Sequence, residues 1–345
     1  MKRLVIFFIA AAQMLATQAR QDNAGEPYLS KSFNASEVKT LRSETSGGYI
    51  MVTGTNEKES KVEVFVRGNG VNRNLSKEEI QERLADNYNI DVSLNGNELK
   101  AVANSRGNTN WKKALSISFK IYVPFNVSSK LNTSGGSITL TNLKGDHDFK
   151  TSGGSLKIDQ LNGIITGRTS GGSIQAMNSK GSIDMKTSGG SIDAFNCNGK
   201  ISLSTSGGSL KLNQLKGNID TRTSGGSIKG SDISGDLYSH TSGGSIQLDQ
   251  LACSLDAATS AGSVHASFVD PGKTVKVSVS AGSAVLGLPK DKGFNLDLSG
   301  GRVNTGTLKD FNGIVDNERV KGSLKGGGTD VYVRTSAGRV SIEWL

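Results

Sequence analysis

The chain has 345 residues, with 44 Gly, only four Pro and two Cys, and 35% of it is hydrophobic. A formal charge of +9 is mild for this length, and no basic cluster with interleaved aromatics accompanies it, which argues against a nucleic-acid partner. Two cysteines cannot make a disulfide framework, and the modest apolar content suits a thin, elongated core better than a compact one.

Residues 1–19 are set apart from the fold. Lys2 and Arg3 form a short basic start, Leu4 to Ala12 an apolar stretch, and Thr17-Gln18-Ala19 a small-residue cleavage site. That is the layout of a secretory signal peptide, too short in its apolar part to cross a bilayer. Its removal takes away Lys2 and Arg3 and no acid, so the formal charge falls from +9 to +7. With no Cys near the cleavage site, a lipid-modified N-terminus is not expected. No later stretch approaches a membrane-spanning length, so the mature chain is expected to carry no integral membrane segment. The expected location is the periplasm, the cell surface or the extracellular medium.

Residues 28–132 read as an irregular N-terminal β section. Val62 to Val66, Ile90 to Leu94, Leu99 to Ala103 and Ser116 to Val123 have the pattern of strands. Ser76-Lys77-Glu78-Glu79 resembles a helix capping box, predicting a short helix over 76–87 that caps the end of the fold. The polar loop from Asn104 to Lys113 carries one Trp. Trp111, with Arg106, Asn108 and Asn110 beside it, is the candidate ligand contact, because an exposed aromatic can stack on a sugar or anchor a protein.

Residues 133–268 are a strict repeat. Thr-Ser-Gly-Gly begins at Thr133, Thr151, Thr169, Thr187, Thr205, Thr223 and Thr241, and Thr-Ser-Ala-Gly at Thr259, always 18 residues apart. Numbering positions from the Thr, position 6 is Ile or Leu in all seven Thr-Ser-Gly-Gly units, and position 15 is Ile or Leu in every one of them but the first, which has His147. Apolar and polar residues alternate on either side of a turn, which predicts two short strands per unit. Gly at positions 3 and 4 is expected to make one corner through positive φ, and Gly at position 13 the other. Eighteen residues with a Gly-Gly in each cannot hold two helices. The predicted fold class is therefore all-β: a single elongated parallel β-solenoid of 18-residue coils, stabilised by stacking, with one short helix in its irregular N-terminal section.

Position 10 reads Asn142, Gln160, Asn178, Asn196, Gln214, Asp232 and Gln250, and predicts a side-chain ladder along the axis. Where position 8 shrinks to Ala176 or Ala194, position 9 becomes Met177 or Phe195, and these are expected to fold inward. Cys197 and Cys253 lie three coils apart, roughly 14 Å at ~4.8 Å per coil, beyond disulfide reach; both read as small buried hydrophobes. Residues 269–345 are expected to be irregular C-terminal coils, with the period broken over 302–328 and two strands restored from Asp330 to Trp344.

The Thr-Ser-Gly-Gly-Ser-Ile coils resemble the putative-adhesin family of bacterial β-strand-repeat proteins. So do the strand Ile117-Ser118-Phe119-Lys120-Ile121-Tyr122-Val123-Pro124, the Leu288-Pro289 segment and Gly326-Gly327-Gly328-Thr329-Asp330-Val331-Tyr332-Val333. The similarity covers roughly residues 33–345. It implies surface or envelope adhesion and supplies no catalytic or binding residues.

Other chemistries fit poorly. Calcium-binding nonapeptide solenoids need Gly-Gly-x-Gly-x-Asp, and the position of the Asp here holds Leu, Ile, Ala or Gly. No phosphate-binding loop is present. His147, His240 and His265 are scattered, and Asp146-His147-Asp148 is at most half a metal site. Asp148, Asp184, Asp220 and Asp256 recur in alternate coils, ~9.6 Å apart, too far for a retaining glycosidase pair and at the limit for an inverting one. With Lys150, Lys186 and Arg222 two positions on, they read as a charge-balanced solvated face. A flat Thr array for ice fails because the threonines point inward by parity. The expectation is a protein that is not an enzyme and has no cofactor. It acts as an adhesin-like or envelope-associated binder of a glycan or surface protein, monomeric or self-associated end to end. The alternatives are a self-assembling envelope scaffold and a polysaccharide-active β-helix enzyme.

Overall fold

The computed structural model describes residues 26–69, 75–107 and 114–345. The signal peptide over 1–19 and the loop residues Asn108, Asn110 and Trp111 lie outside the described residues. Among the described residues the protein is all-β apart from one α-helix, Lys77–Asn87, and a 3-10 turn, Ala35–Glu37. The 28 strands of the described residues join in one hydrogen-bonded sheet system whose pairings are mostly parallel. No helix among the described residues is long and apolar enough to cross a membrane.

Through the repeat, each residue pairs with the one 18 positions on. Leu156 faces Ile138 and Ile174, and Ile165 faces His147 and Ile183. The same offset continues through Ile192 with Leu210, Ile228 and Ile246. Position 6 is sealed from solvent in every unit, from Ile138 to Ile246, and so is position 15. Stacking like on like in this way buries one aliphatic against the next, each worth about 1.5–3 kcal/mol relative to exposure.

The Thr-Ser-Gly-Gly corner stacks for a different reason from the one its glycines suggest. None of the glycines at positions 3 and 4 between Gly135 and Gly244 has positive φ. The requirement at position 4 is close approach: a Cβ on Gly154 would lie 1.9 Å from the carbonyl oxygen of Gly136, and one on Gly172 2.0 Å from that of Gly154. A Cβ on Gly153, at position 3, would meet nothing nearer than 3.7 Å. Thr151 Oγ1 donates to Gly136 O (2.8 Å) and accepts from Gly154 N (3.3 Å), each later Thr repeats the bracket down to Thr241, and Thr259 keeps the donating half. The threonines are buried.

Left-handed backbone occurs at the other corner. Every residue at position 10, from Asn142 to Gln250, has φ between 49° and 60°, and the glycines at position 13 lie between 109° and 151°. Position 10 is thus a turn site that Asn and Asp tolerate well. Its side chains make a ladder only in part: Asn196 Nδ2 donates to Asn178 Oδ1 (2.8 Å), but Asn178 Nδ2 donates to Asp159 and Asn142 Nδ2 to Gly54 O.

Core volume is balanced across the turn and along the stack. Phe195 does not fold inward; it is 41% exposed, and Met177 is half-buried. Beside Ala176 lies Cys197, whose Sγ is 3.5 Å from Ala176 O. Beside Gly167 the space belongs to Phe149 below and Met185 above, and beside Gly230 to Ile233. Cys197 and Cys253 are buried free thiols, and burial pushes the Cys253 pKa up to about 12.

At both ends chain order and stacking order part company. Thr40–Thr45 pairs with Glu98–Ser105 on one side and Ser128–Thr133 on the other. Ile50–Thr55 likewise lies between Leu115–Pro124 and Ile138–Lys150. The first Thr-Ser-Gly-Gly, at Thr45, is therefore one layer in from the end. At the other end Thr329–Thr335 lies between Thr274–Ala281 and Phe294–Ser299, so the last repeat is also one layer in. The outermost strands are antiparallel: Leu29–Asn34 on Glu59–Gly68, Tyr88–Asn95 on Glu98–Ser105, and Phe311–Val315 on Arg319–Leu324. The helix packs against Tyr88–Asn95 and Glu59–Gly68, with Ser76 Oγ accepting from Glu79 N (3.2 Å) at its start.

Candidate functional site

The outer layer at the C-terminal end encloses a cleft of about 370 Å3 lined by Lys290, Thr307, Leu308, Lys309, Leu324, Lys325 and Trp344. Four separate segments meet there. Pro289 ends the strand Ala284–Leu288, and Lys290 is held by its backbone N–H to Leu345 O (3.2 Å). The chain after Arg302–Asn304 turns through Gly306, φ +63°, with Gly306 N donating to Asn304 Oδ1 (3.2 Å). This turn carries Thr307, Leu308 and Lys309 to the rim. Leu324 closes the strand Arg319–Leu324, and Lys325, φ +50°, donates its N–H to Asp310 O (2.9 Å).

Trp344 is fixed on two sides. Its Nε1 donates to Thr305 O (2.8 Å), and its ring lies 6.0 Å from that of buried Phe294. Leu324 is buried and Leu308 partly so, giving an apolar floor, while Lys290 and Lys309 are exposed. Lys325 Nζ donates to Lys290 O (2.6 Å), drawing its ammonium toward Lys290. Three cations thus rim the cleft, and no acidic residue is among those that line it.

A second cluster lies on the outer face formed by positions 16 and 18. Arg222 grips Asp220 through Nε (2.9 Å) and Nη2 (3.1 Å) and sits 4.6 Å from the ring centre of Tyr238. Tyr238 stacks on His240 at 3.7 Å, and Asp256 takes His240 Nε2 (3.2 Å) and Lys276 Nζ (3.3 Å). Asp184 pairs with Arg168 of the preceding unit. Of the recurring aspartates named in the sequence, Asp184, Asp220 and Asp256 are therefore balanced by neighbouring cations, across units as well as within them.

Of the four residues expected to contact ligand, Arg106 alone is described. Its backbone N–H donates to Asn87 O (2.8 Å) and its Nη1 to Ala85 O (3.0 Å), so it ties the loop to the end of the helix. His147 is buried, with Nδ1 2.9 Å from Ser129 Oγ and Nε2 without a partner; burial holds its pKa down at about 4. No group of three or more His, Cys, Asp or Glu among the described residues is placed to hold a metal. The cleft was not found from sequence because its lining residues are scattered over 290–344, in the stretch where the period fails. The one signal was that failure itself.

No protein-family model matches the chain, and no curated protein does. Among solved structures, similarity is found to a "putative cell adhesion protein" from Clostridium sporogenes, at 12% identity over 93% of this chain and 100% of that one, with a TM-score of 0.19. A "putative adhesin" from Bacteroides fragilis gives 13% identity over 92% and 96%, with a TM-score of 0.24. One from Parabacteroides distasonis gives 13% over 93% and 98%, with a TM-score of 0.25. Scores this low carry nothing for architecture or role, which rest on this chain's own residues.

Proposed function

We propose that the protein is an exported, non-enzymatic β-solenoid of 18-residue coils acting as an adhesin-like or envelope-associated binding protein. In this reading residues 1–19 are a signal peptide, 28–132 and 269–345 are irregular end sections, and 133–268 is the regular body. The observation that carries it is the C-terminal cleft, where a fixed indole and three lysines surround an apolar floor. The repeat positions themselves are consumed in folding: threonines bracket the stack, aliphatics fill it, and turn residues close it. The C-terminal end, outside these repeat positions, presents an aromatic and several cationic side chains around one cleft. The ion pairs of Asp184, Asp220 and Asp256 support a solvated face over a hydrolytic one.

The test is binding of the mature chain to a glycan array and to intact bacterial envelopes, beside Trp344→Ala and Trp111→Ala variants. Saturable binding reduced by either change supports the reading; no binding to either surface sinks it. A second reading, end-to-end assembly, has one observation in its favour. Phe311–Val315 pairs on one side only, and Ile314 and Val315 are 65% and 58% exposed. Such an edge is a template for another strand. Size-exclusion chromatography across concentration decides it: a growing species abolished by Val315→Lys supports pairing of copies, and a monomer throughout removes it.

A further inference from the structure

We propose that the cleft between Trp344 and Lys290, Lys309 and Lys325 binds the carboxylate-bearing end of an acidic saccharide, an assignment that rests on the binding function above and names its ligand class. Three lysines gathered at one rim repel one another, and an anion seated among them relieves that repulsion. Lys325 Nζ is held by a hydrogen bond to the backbone carbonyl of Lys290, so one of the cations is placed before any ligand arrives.

The floor chooses among anions. Inorganic phosphate would use the lysines and leave Trp344, Leu308 and Leu324 without a role. A fatty acid would use the floor, but a cleft of about 370 Å3 that stays open to solvent cannot enclose an acyl chain. A sugar acid has both parts: a ring face of C–H groups to lie on the indole, and a carboxylate at its edge for the ammonium groups. Thr307 supplies a hydroxyl for the sugar's own hydroxyls. The volume falls at the low end of small-molecule sites, about 300–1,000 Å3, which suits a chain end rather than an extended segment. Trp344 is held by Thr305 O and Phe294, so stacking on it costs little side-chain entropy.

The experiment is a calorimetric and tryptophan-fluorescence titration of the mature chain with digalacturonate. Digalactose, octanoate and inorganic phosphate serve as separate probes. The expected result is saturable digalacturonate binding with a change in Trp344 emission, retained in a Trp111→Phe variant. Digalactose should bind about tenfold more weakly or worse, the loss of one charge-assisted contact. Lys309→Gln with Lys325→Gln, at exposed positions whose fold is checked by circular dichroism, should weaken digalacturonate by a similar factor. Raising the ionic strength from about 0.05 to 0.5 M should weaken it too. Equal binding of digalactose, or indifference to the lysine pair, overturns the assignment. So does octanoate or phosphate binding with digalacturonate silent. If the chain still binds envelopes while the cleft variants are unaffected, the ligand class fails and the binding function stands. If it binds neither, the broader reading fails as well.

Discussion

Adjacent glycines in the Thr-Ser-Gly-Gly corner do unequal work, and the repeat itself records the difference. Position 3 becomes Ala at Ala261, Ala281 and Ala337, while position 4 stays Gly at Gly262, Gly282 and Gly338. The geometry gives the reason: a Cβ at position 3 meets ordinary contacts, and one at position 4 collides with the carbonyl of the layer below. Gly153→Ala should therefore change stability by no more than about 0.5 kcal/mol, whereas Gly154→Ala should cost about 1–3 kcal/mol or more. Urea midpoints of the two variants measure this. His147 makes a second prediction. Its ring stands where other units have Ile or Leu, and it is neutral when folded because its pKa of about 4 lies below the ordinary 6.5. Between those values the unfolded chain binds the extra proton, so stability is full above about pH 6.5 and falls as the pH drops toward 4, by roughly 3 kcal/mol in total. In His147→Ile that portion of the pH dependence should vanish, read as the difference between the two proteins' stability-pH curves. The remaining cost in the variant is the Ser129 hydroxyl, which loses its partner.

The helix and the outer strands answer a different need at the scale of elements. A parallel stack leaves an open strand edge at each end, and both ends here finish in antiparallel strands inserted into the chain between repeat units. The helix Lys77–Asn87 has only one buried residue, Leu84, and depends on its cap more than on packing. Ser76→Ala should thus cost about 1 kcal/mol locally. The expected readout is faster amide exchange over 77–87 with the global unfolding midpoint almost unmoved, since the strands of the stack do not rely on it. Capping Ser and Glu spaced three apart made this helix readable from sequence. The hairpin Phe311–Leu324 had no such mark: Gly313 and Gly322 face each other with no room for a Cβ on either, a contact that exists only once the two strands pair.

At the scale of the molecule, the pairing offset that stays constant through the repeat makes the stability of that body a sum over neighbouring layers. Removing 18 residues, such as 187–204, rejoins Lys186 to Thr205 and restores every like-on-like contact. That shortened protein should fold cooperatively, with a slightly lower melting temperature. Removing nine residues, 187–195, should prevent folding of the body, because Asn196 and Cys197 would fall where Thr and Ser close the corner. Circular dichroism with thermal melts separates the two outcomes. The interleaved ends also imply that the first and last repeat units are locked only after the segments between them are in place.

Much of this protein is legible along the chain alone. Local rules suffice where a residue's partner is its own counterpart one unit away: the Thr corner, the aliphatic columns and the paired strands of the units from Thr169 to Thr223 follow from period and alternation, whereas Ile138–Lys150, Leu156–Arg168 and Ile246–Ala261 each run on as one strand. Close approach is not local, so the task of the position 4 glycines waited for the layer beneath them, and the left-handed turn at position 10 was masked by side chains that also suit a ladder. Phe195 stayed outside because sides alternate along Ile192–Phe195, which turns Ala194 inward and Phe195 outward. The order of layers at the two ends, and the cleft of Lys290, Lys309, Lys325 and Trp344, came only from tertiary structure. Both arise where segments far apart in sequence lie side by side, and a repeat that predicts its own neighbour has nothing to say once the neighbour is a different piece of chain.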